Sequence, residues 1–231
     1  MTFLEVIQSA PKVIQDILEH RDDQIVKPLE QAFKTHSFSS VVVIASGTSY
    51  NAAATVKKYA QQSLNVKMEL FYPNMFLNYY NTNIVDKNSL VVFISQGGTT
   101  KEVYYCVEAV QKLGLKHVLI TENVDGPIAQ LSEVVLPMGS IAEPFLFRTI
   151  GYDATCVTLT LMLNHLFGDD PSVVIEGITK STTRLMELIQ TAHEFFNSHK
   201  ADLLDNQVII FIGTNELWPI SQEAAIKFFH G

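Results

Sequence analysis

The chain has 231 residues, 47% of them hydrophobic, and a formal net charge of −8. That is enough apolar material for a large core in one domain, or in one domain plus part of another. The acidic balance and the scattered lysines exclude a nucleic-acid surface, so an anionic ligand has to be held by local groups. No stretch is long enough to span a bilayer, and the opening MTFLEVIQSAPK meets Glu5 and Pro11 before an apolar run could serve as a signal peptide. Cys106 and Cys156 both fall within apolar helical patterns, which fits buried, reduced thiols in a cytoplasmic protein better than a disulfide framework.

Residues 1–36 read as a helical arm. Phe3, Leu4 and Ile7 share one face, a break runs from Ser9 to Pro11, and Val13, Ile14, Ile17 and Leu18 follow at helical spacing. Ser40 to Ala45 (SVVVIA) is the first buried strand, followed by Ser46-Gly47-Thr48-Ser49 and a helix from about Tyr50 to Leu64. Val66 to Phe71 is a second strand, Asn74 to Tyr80 a short helix, and Leu90 to Ile94 a third strand. After Ser95-Gln96-Gly97-Gly98, Thr99 and Glu102 have the form of a capping box for a helix that runs from Lys101 to Leu113 and stops at Gly114. His117 to Thr121, Pro127 to Leu131 and Val134 to Leu136 read as strand, short helix and strand. An irregular stretch, Gly139 to Gly151, leads into an apolar helix from about Tyr152 to Phe167. A long helix from about Ser172 to His199 follows, its apolar face (Ile175, Ile178, Leu185, Leu188, Ile189, Phe195) suited to ordinary packing.

Five short strands joined by helices of crossover length predict an α/β fold: a doubly wound, mostly parallel five-stranded sheet with helices on both faces. In such sheets ligands bind outside the carboxyl ends of the strands, near the switch in strand order. Both hydroxyl-rich turns, Ser46 to Ser49 and Ser95 to Thr100, lie at carboxyl ends and are able to face one pocket. Glycines there let backbone N–H groups converge on an anion at a helix start, an arrangement suited to phosphate. Gln207 to Gly213 (QVIIFIG), then Thr214, a polar turn and another helix, repeats the pattern of Val41 to Thr48. A second, truncated domain of the same kind is therefore expected over 205–231, after a first domain over 37–170 and a linking helix over 171–204; a further C-terminal part is expected beyond it.

In the last helix Glu223 and Lys227 are four residues apart and His230 is three beyond Lys227, so all three fit on one face. An ordinary ion pair with a neighbouring histidine accounts for that spacing equally well. No G-x-G-x-x-G or G-x-x-x-x-G-K-[ST] is present, and Ser49 is followed by Tyr50-Asn51, which excludes a nucleophile elbow. No metal-binding cluster and no cofactor fingerprint are found.

Gly47-Thr48-Ser49-Tyr50 together with Ser95-Gln96-Gly97-Gly98-Thr99-Thr100 resembles the paired GTSY and SQSGET motifs of the sugar isomerase (SIS) family of phosphosugar-binding domains. Within that family it resembles in particular the isomerase half of the glutamine–fructose-6-phosphate aminotransferases. The resemblance covers roughly the whole chain and implies a flavodoxin-like fold. It also implies a phosphate loop at Ser95, Gln96, Gly97 and Thr100, and a sugar site to which Gly47, Thr48, Ser49 and Thr149 contribute. Gly97 stands where the family has a serine. FRTIGY (Phe147 to Tyr152) keeps only Thr149 of the aminotransferase form ASTKAF, a departure that looks more like family members acting on amine-linked sugar phosphates, the fructosamine and glucoselysine 6-phosphate deglycases. SQEAAIKFFH matches the family's ALEGALKLKE at Glu223 and Lys227 and places His230 where the isomerase has its proton-shuttling glutamate. The resemblance thus implies an enzyme of isomerase, deaminase or deglycase type with Glu223, Lys227 and His230 as catalytic residues. It implies a phosphorylated sugar or amino sugar as ligand, a homodimer, and, with no nucleophilic cysteine after Met1, no glutaminase activity. The alternative is a non-catalytic sugar-phosphate-binding or regulatory module.

Overall fold

Runs of β-branched and other apolar residues form five strands, β1 (Ser40–Ala45), β2 (Lys67–Phe71), β3 (Ser89–Ile94), β4 (His117–Thr121) and β5 (Val134–Pro137). The structure, a computed structural model, describes residues 2–80, 82, 85–144, 148–205 and 208–229. The strands make one parallel sheet in the order β2-β1-β3-β4-β5. β1 and β3 are neighbours, with Ser40 opposite Ser89 and Ala45 opposite Ile94, so both strands end at the same height.

Side chains alternate across each strand, which lets the sheet feed two cores. Val41, Val43, Leu90, Val92, Ile94, Val118 and Ile120 pack into one, against α2 (Ala10–Arg21), α3 (Lys27–Phe33), α4 (Gly47–Gln62) and α8 (Ile150–Phe167). Val42, Ile44, Val91, Phe93 and Leu119 pack into the other, against α5 (Pro73–Asn78), α6 (Lys101–Lys112) and α7 (Pro127–Leu131). The doubly wound α/β arrangement read from the sequence is therefore present. The N-terminal helices α1 (Phe3–Gln8), α2 and α3, with a π-helical turn at Asp22–Val26 between α2 and α3, send Val13, Ile14, Ile17, Ile25, Leu29 and Phe33 into the first core. Gly114, at φ +69°, ends α6 as expected.

Three local expectations differ. α4 begins at Gly47, three residues earlier than read. The capping box at Thr99 and Glu102 does not form: Gly98 takes φ +64°, which carries the turn one residue further, and Thr100 becomes the N-cap of α6 without a side-chain capping bond. The long helix, α9 (Pro171–Asp205), packs Ile175, Ile178 and Leu185 onto the first core, but Leu188 and Phe195 are 57% and 60% exposed.

Val208 to Gly213 leads to α10 (Leu217–Phe229) without regular secondary structure, whereas a buried strand is expected there. Phe211 packs on Phe228 with ring centroids 5.2 Å apart, while Val208, Ile210 and Ile212 on the other side are 74–88% exposed. Gln207 lies outside the described residues.

Phe93 is fully buried at the centre of the second core. Phe93→Ala is expected to lower unfolding free energy by about 3–5 kcal/mol, read from urea denaturation; a loss below about 1 kcal/mol contradicts the packing described.

Candidate functional site

The strand order reverses between β1 and β3, because the helix after β1 covers one face of the sheet and the helix after β3 the other. Their starts, Gly47 for α4 and Lys101 for α6, flank one crevice at the carboxyl edge. Neither helix has a side-chain capping bond at its N-cap, Ser46 or Thr100. The first backbone N–H groups of both helices therefore point at the crevice without a capping partner, and both helix dipoles present their positive ends there. Gly47 takes φ +55°, and a Cβ placed on it would have open space around it, so a ligand is able to approach the backbone closely.

The crevice holds a cavity of about 320 Å³ bounded by Gly47, Thr48, Ser49, Ser95, Gln96, Gly97 and Thr100, together with Arg148 and Lys227. Ser46 to Ser49 of the first turn and Ser95, Gln96, Gly97 and Thr100 of the second are thus brought to one place, whereas Gly98, Thr99 and Thr149 do not line the cavity. A larger and more apolar hollow of about 790 Å³ lies at the opposite end of α4, between α8 and α9, among residues such as Ile14, Tyr59, Val157 and Leu185. The smaller one alone lies at the carboxyl ends of adjacent strands, where the starts of α4 and α6 and the two hydroxyl-rich turns meet, which makes it the candidate site.

Two cations reach the cavity. Lys227 comes from the last turn of α10, donates to Thr48 Oγ1 at 3.2 Å and to the backbone oxygen of Arg148, and pairs with Glu223 Oε1 at 2.8 Å. Arg148 donates through Nη1 to the backbone oxygen of Glu143 at 3.0 Å. Glu223 itself is buried and does not line the cavity. Oε1 accepts from Thr48 at 2.8 Å and Oε2 from Asn51 at 2.9 Å, so both oxygens are engaged and α10 is fastened to the first turns of α4. These contacts are those of a clamp between α10 and α4. His230 lies outside the described residues.

Three further residues complete the surroundings, and the sequence reading did not mark them. Asn51, one helical turn after Thr48, is buried beneath Glu223. Glu143, in the irregular stretch, accepts from the backbone N–H of Thr149 and of Gly151 at 2.6 and 3.2 Å. Glu122, after β4, accepts from Gln96 Nε2 at 2.9 Å. A helix-start spacing of three residues from Thr48 is a signal for Asn51; a lone acid in an irregular loop is none for Glu143. Thr149 is the N-cap of α8, and its hydroxyl is buried without a protein partner among the described residues. No group of metal-ligating side chains occurs among the described residues, and no helix there is long and apolar enough to cross a membrane.

Asp153, in the first turn of α8, has its carboxyl pushed up to about 6 by burial and by the neighbouring Glu143 carboxylate. An acid whose folded-state value exceeds the unfolded value of about 4 stabilises the fold while protonated. That contribution is fully present below about pH 4 and is lost as pH rises through about 6. Asp153→Asn is expected to raise stability by about 1 kcal/mol near pH 8 and to leave it unchanged near pH 4, measured by urea denaturation at both; equal effects at the two pH values contradict the assignment.

The SIS domain family model matches residues 36–166. The isomerizing glutamine–fructose-6-phosphate aminotransferase of Oceanobacillus iheyensis is 23% identical over 238 residues, which cover 97% of this chain and 38% of that protein. The chain therefore spans well under half the length of this curated relative. Among solved structures, a Clostridium difficile 630 protein provisionally described as a phosphosugar isomerase superposes with a TM-score of 0.89 at 23% identity, covering 99% of this chain and 66% of that one. The C-terminal domain of glucosamine-fructose-6-phosphate aminotransferase from Francisella tularensis gives a TM-score of 0.77 at 22% identity, covering 97% and 65%. These structural likenesses establish the fold, and with a family model matched over more than half of its length the chain belongs to the SIS domain family.

Proposed function

We propose that the chain binds a hexose 6-phosphate bearing an amino or amine-linked group and acts on it at C1 and C2, by isomerisation, deamination or deglycation. One observation carries this reading: two uncapped helix starts from adjacent strands open on the same cavity, with Lys227 and Arg148 on its rim. Helix starts and glycine turns suit a phosphate dianion, and the hydroxyls of Thr48, Ser49, Ser95 and Thr100 supply directed hydrogen bonds. The aminotransferase relative from Oceanobacillus iheyensis is named for fructose-6-phosphate. With the phosphate seated on Ser95, Gln96, Gly97 and Thr100, the open-chain sugar extends toward Thr48, Ser49, Thr149 and α10.

Aldose–ketose interconversion removes a proton from C2, forms an enediol or enolamine, and returns a proton to C1. His230, on the C-terminal side of Lys227, supplies a group whose ordinary pKa suits that shuttle. Lys227 faces the cavity as a cation and stabilises negative charge on the sugar oxygen during transfer. Glu223 holds Lys227 and Thr48 in place through its ion pair and hydrogen bond.

A non-catalytic sugar-phosphate module is the second reading, favoured by the full engagement of Glu223. The first reading also includes a homodimer, for which the bare half of α9 offers apolar surface, and a second unit beginning near residue 205, whose exposed Val208, Ile210 and Ile212 call for covering. The free Cys106 and Cys156 agree with a cytoplasmic setting.

Thr100→Val is expected to weaken hexose 6-phosphate binding about ten-fold or more in calorimetry, since it removes a hydrogen bond to a charged group. Unchanged affinity removes the loop assignment. His230→Ala is expected to lower turnover about 100-fold or more while leaving binding intact; full turnover in that variant leaves the binding-module reading in its place.

A further inference from the structure

The Gln96 side chain, which sits in the middle of the anion-holding turn, is not free to serve a ligand. Its Nε2 donates to Glu122 Oε2 at 2.9 Å and to Glu143 Oε1 at 3.5 Å. Glu122 is itself held by Ser140 Oγ at 3.3 Å. The amide lies directly over Gly151: a Cβ built on that glycine would stand 2.2 Å from Gln96 Oε1 and 2.6 Å from its Cδ. Only glycine at 151 admits this seat.

Glu143 is the group that reaches both sides. It is 7% exposed, and its Oε2 accepts from Thr149 N at 2.6 Å while Oε1 accepts from Gly151 N at 3.2 Å. It thereby caps α8 from outside the helix, a task that the N-cap residue Thr149 does not perform with its own side chain. Through Oε1 the same carboxylate meets the Gln96 amide, and through its backbone oxygen it holds Arg148. The segment that brings Arg148 to the cavity and the turn that carries Ser95 to Thr100 thus meet at one buried side chain. The raised pKa of Asp153 has the Glu143 charge as its second cause, after burial, which agrees with a carboxylate seated at this helix start.

We propose that Glu143 is a positioning residue for the anion site: by binding the start of α8 and the Gln96 amide at once, it sets the spacing between the 95–100 turn and the Arg148–Thr149 segment. The proposal rests on the sugar-phosphate reading for its consequence but not for its geometry. A carboxylate at this position accepts from three donors, whereas a glutamine offers one acceptor oxygen and sets an N–H group against N–H donors. The substitution Glu143→Gln therefore breaks the junction with little change in volume.

Hydrogen–deuterium exchange on the unliganded chain, resolved by peptide, tests the geometry. Glu143→Gln should raise exchange about ten-fold both in 148–153 and in the separate 95–100 turn, with β1 unchanged. Gly151→Ala leaves Glu143 in place but drives the Gln96 amide off its seat, and should also loosen 95–100. A rise confined to 148–153 in the first variant, with 95–100 unchanged in both, overturns the proposal, since a merely local capping role predicts that pattern. Calorimetry with glucose 6-phosphate adds the functional readout: about ten-fold weaker binding in Glu143→Gln than in the wild type supports positioning, and equal affinity contradicts it. If the wild type itself fails to bind any hexose 6-phosphate, the sugar-phosphate reading falls, while the exchange pattern still decides the role of Glu143.

Discussion

Two adjacent parallel strands, β1 and β3, end level with one another and hand the chain to helices on opposite faces of the sheet. Sheet geometry holds the two strands within hydrogen-bonding distance, so the two helix starts cannot be far apart, and their divergence opens a crevice between them. Each start brings N–H groups that no side chain caps. The two cores keep the strand ends at this height, and the surrounding polar side chains are organised around the resulting concentration of donors.

Such a concentration is costly to leave unbalanced, because uncapped helix starts cost the fold roughly 1 kcal/mol each. The neighbouring polar groups stabilise the crevice without filling it. Glu223 takes up the Thr48 hydroxyl, the Asn51 amide and the Lys227 ammonium, and so ties α10 to α4. A half-buried pair of this kind adds little net stability, since desolvation offsets the Coulomb attraction, but it fixes where the Lys227 charge stands. On the other side Glu143 and Glu122 immobilise the Gln96 amide. Carboxylates thus brace the walls from behind, none of them lines the cavity, and its polar lining includes the hydroxyls of Thr48, Ser49, Ser95 and Thr100 and two cations. That division of labour suits a dianionic ligand, which carboxylates on the cavity surface would repel.

Much of this was legible in the sequence. The strand runs and both hydroxyl-rich turns stand out because buried parallel strands are apolar throughout and glycine marks the turns, so SVVVIA-SGTS and LVVFI-SQGGTT announce themselves. The chain order alone placed both turns at carboxyl ends. It did not show that β1 and β3 are the neighbours; the sheet order does. The cap of α6 was misplaced because Thr99 and Thr100 are chemically equivalent, and only the left-handed turn at Gly98 decides between them. Asn51 and Glu143 were missed for a different reason. Each acquires its meaning from a partner far along the chain, Glu223 for the first and Gln96 for the second; the spacing from Thr48 hints at Asn51 but not at its partner, and no local pattern marks Glu143. The run Gln207 to Gly213 shows the converse: a buried-strand composition states what a segment needs but not what lies beside it, and Val208, Ile210 and Ile212 stand in solvent.

The central claim is that the crevice between the starts of α4 and α6 receives a phosphate group. Amide chemical shifts test it most directly, by titrating the isotope-labelled chain with glucose 6-phosphate and, separately, with unphosphorylated glucose. The account predicts large shifts for the amides of Gly47 to Ser49 and Gln96 to Thr100 with the phosphate ester only, with smaller changes at Arg148 and Lys227. Shifts that are equal for the two sugars, or that gather in the apolar hollow around Tyr59 and Val157 while the two turns stay still, would contradict it.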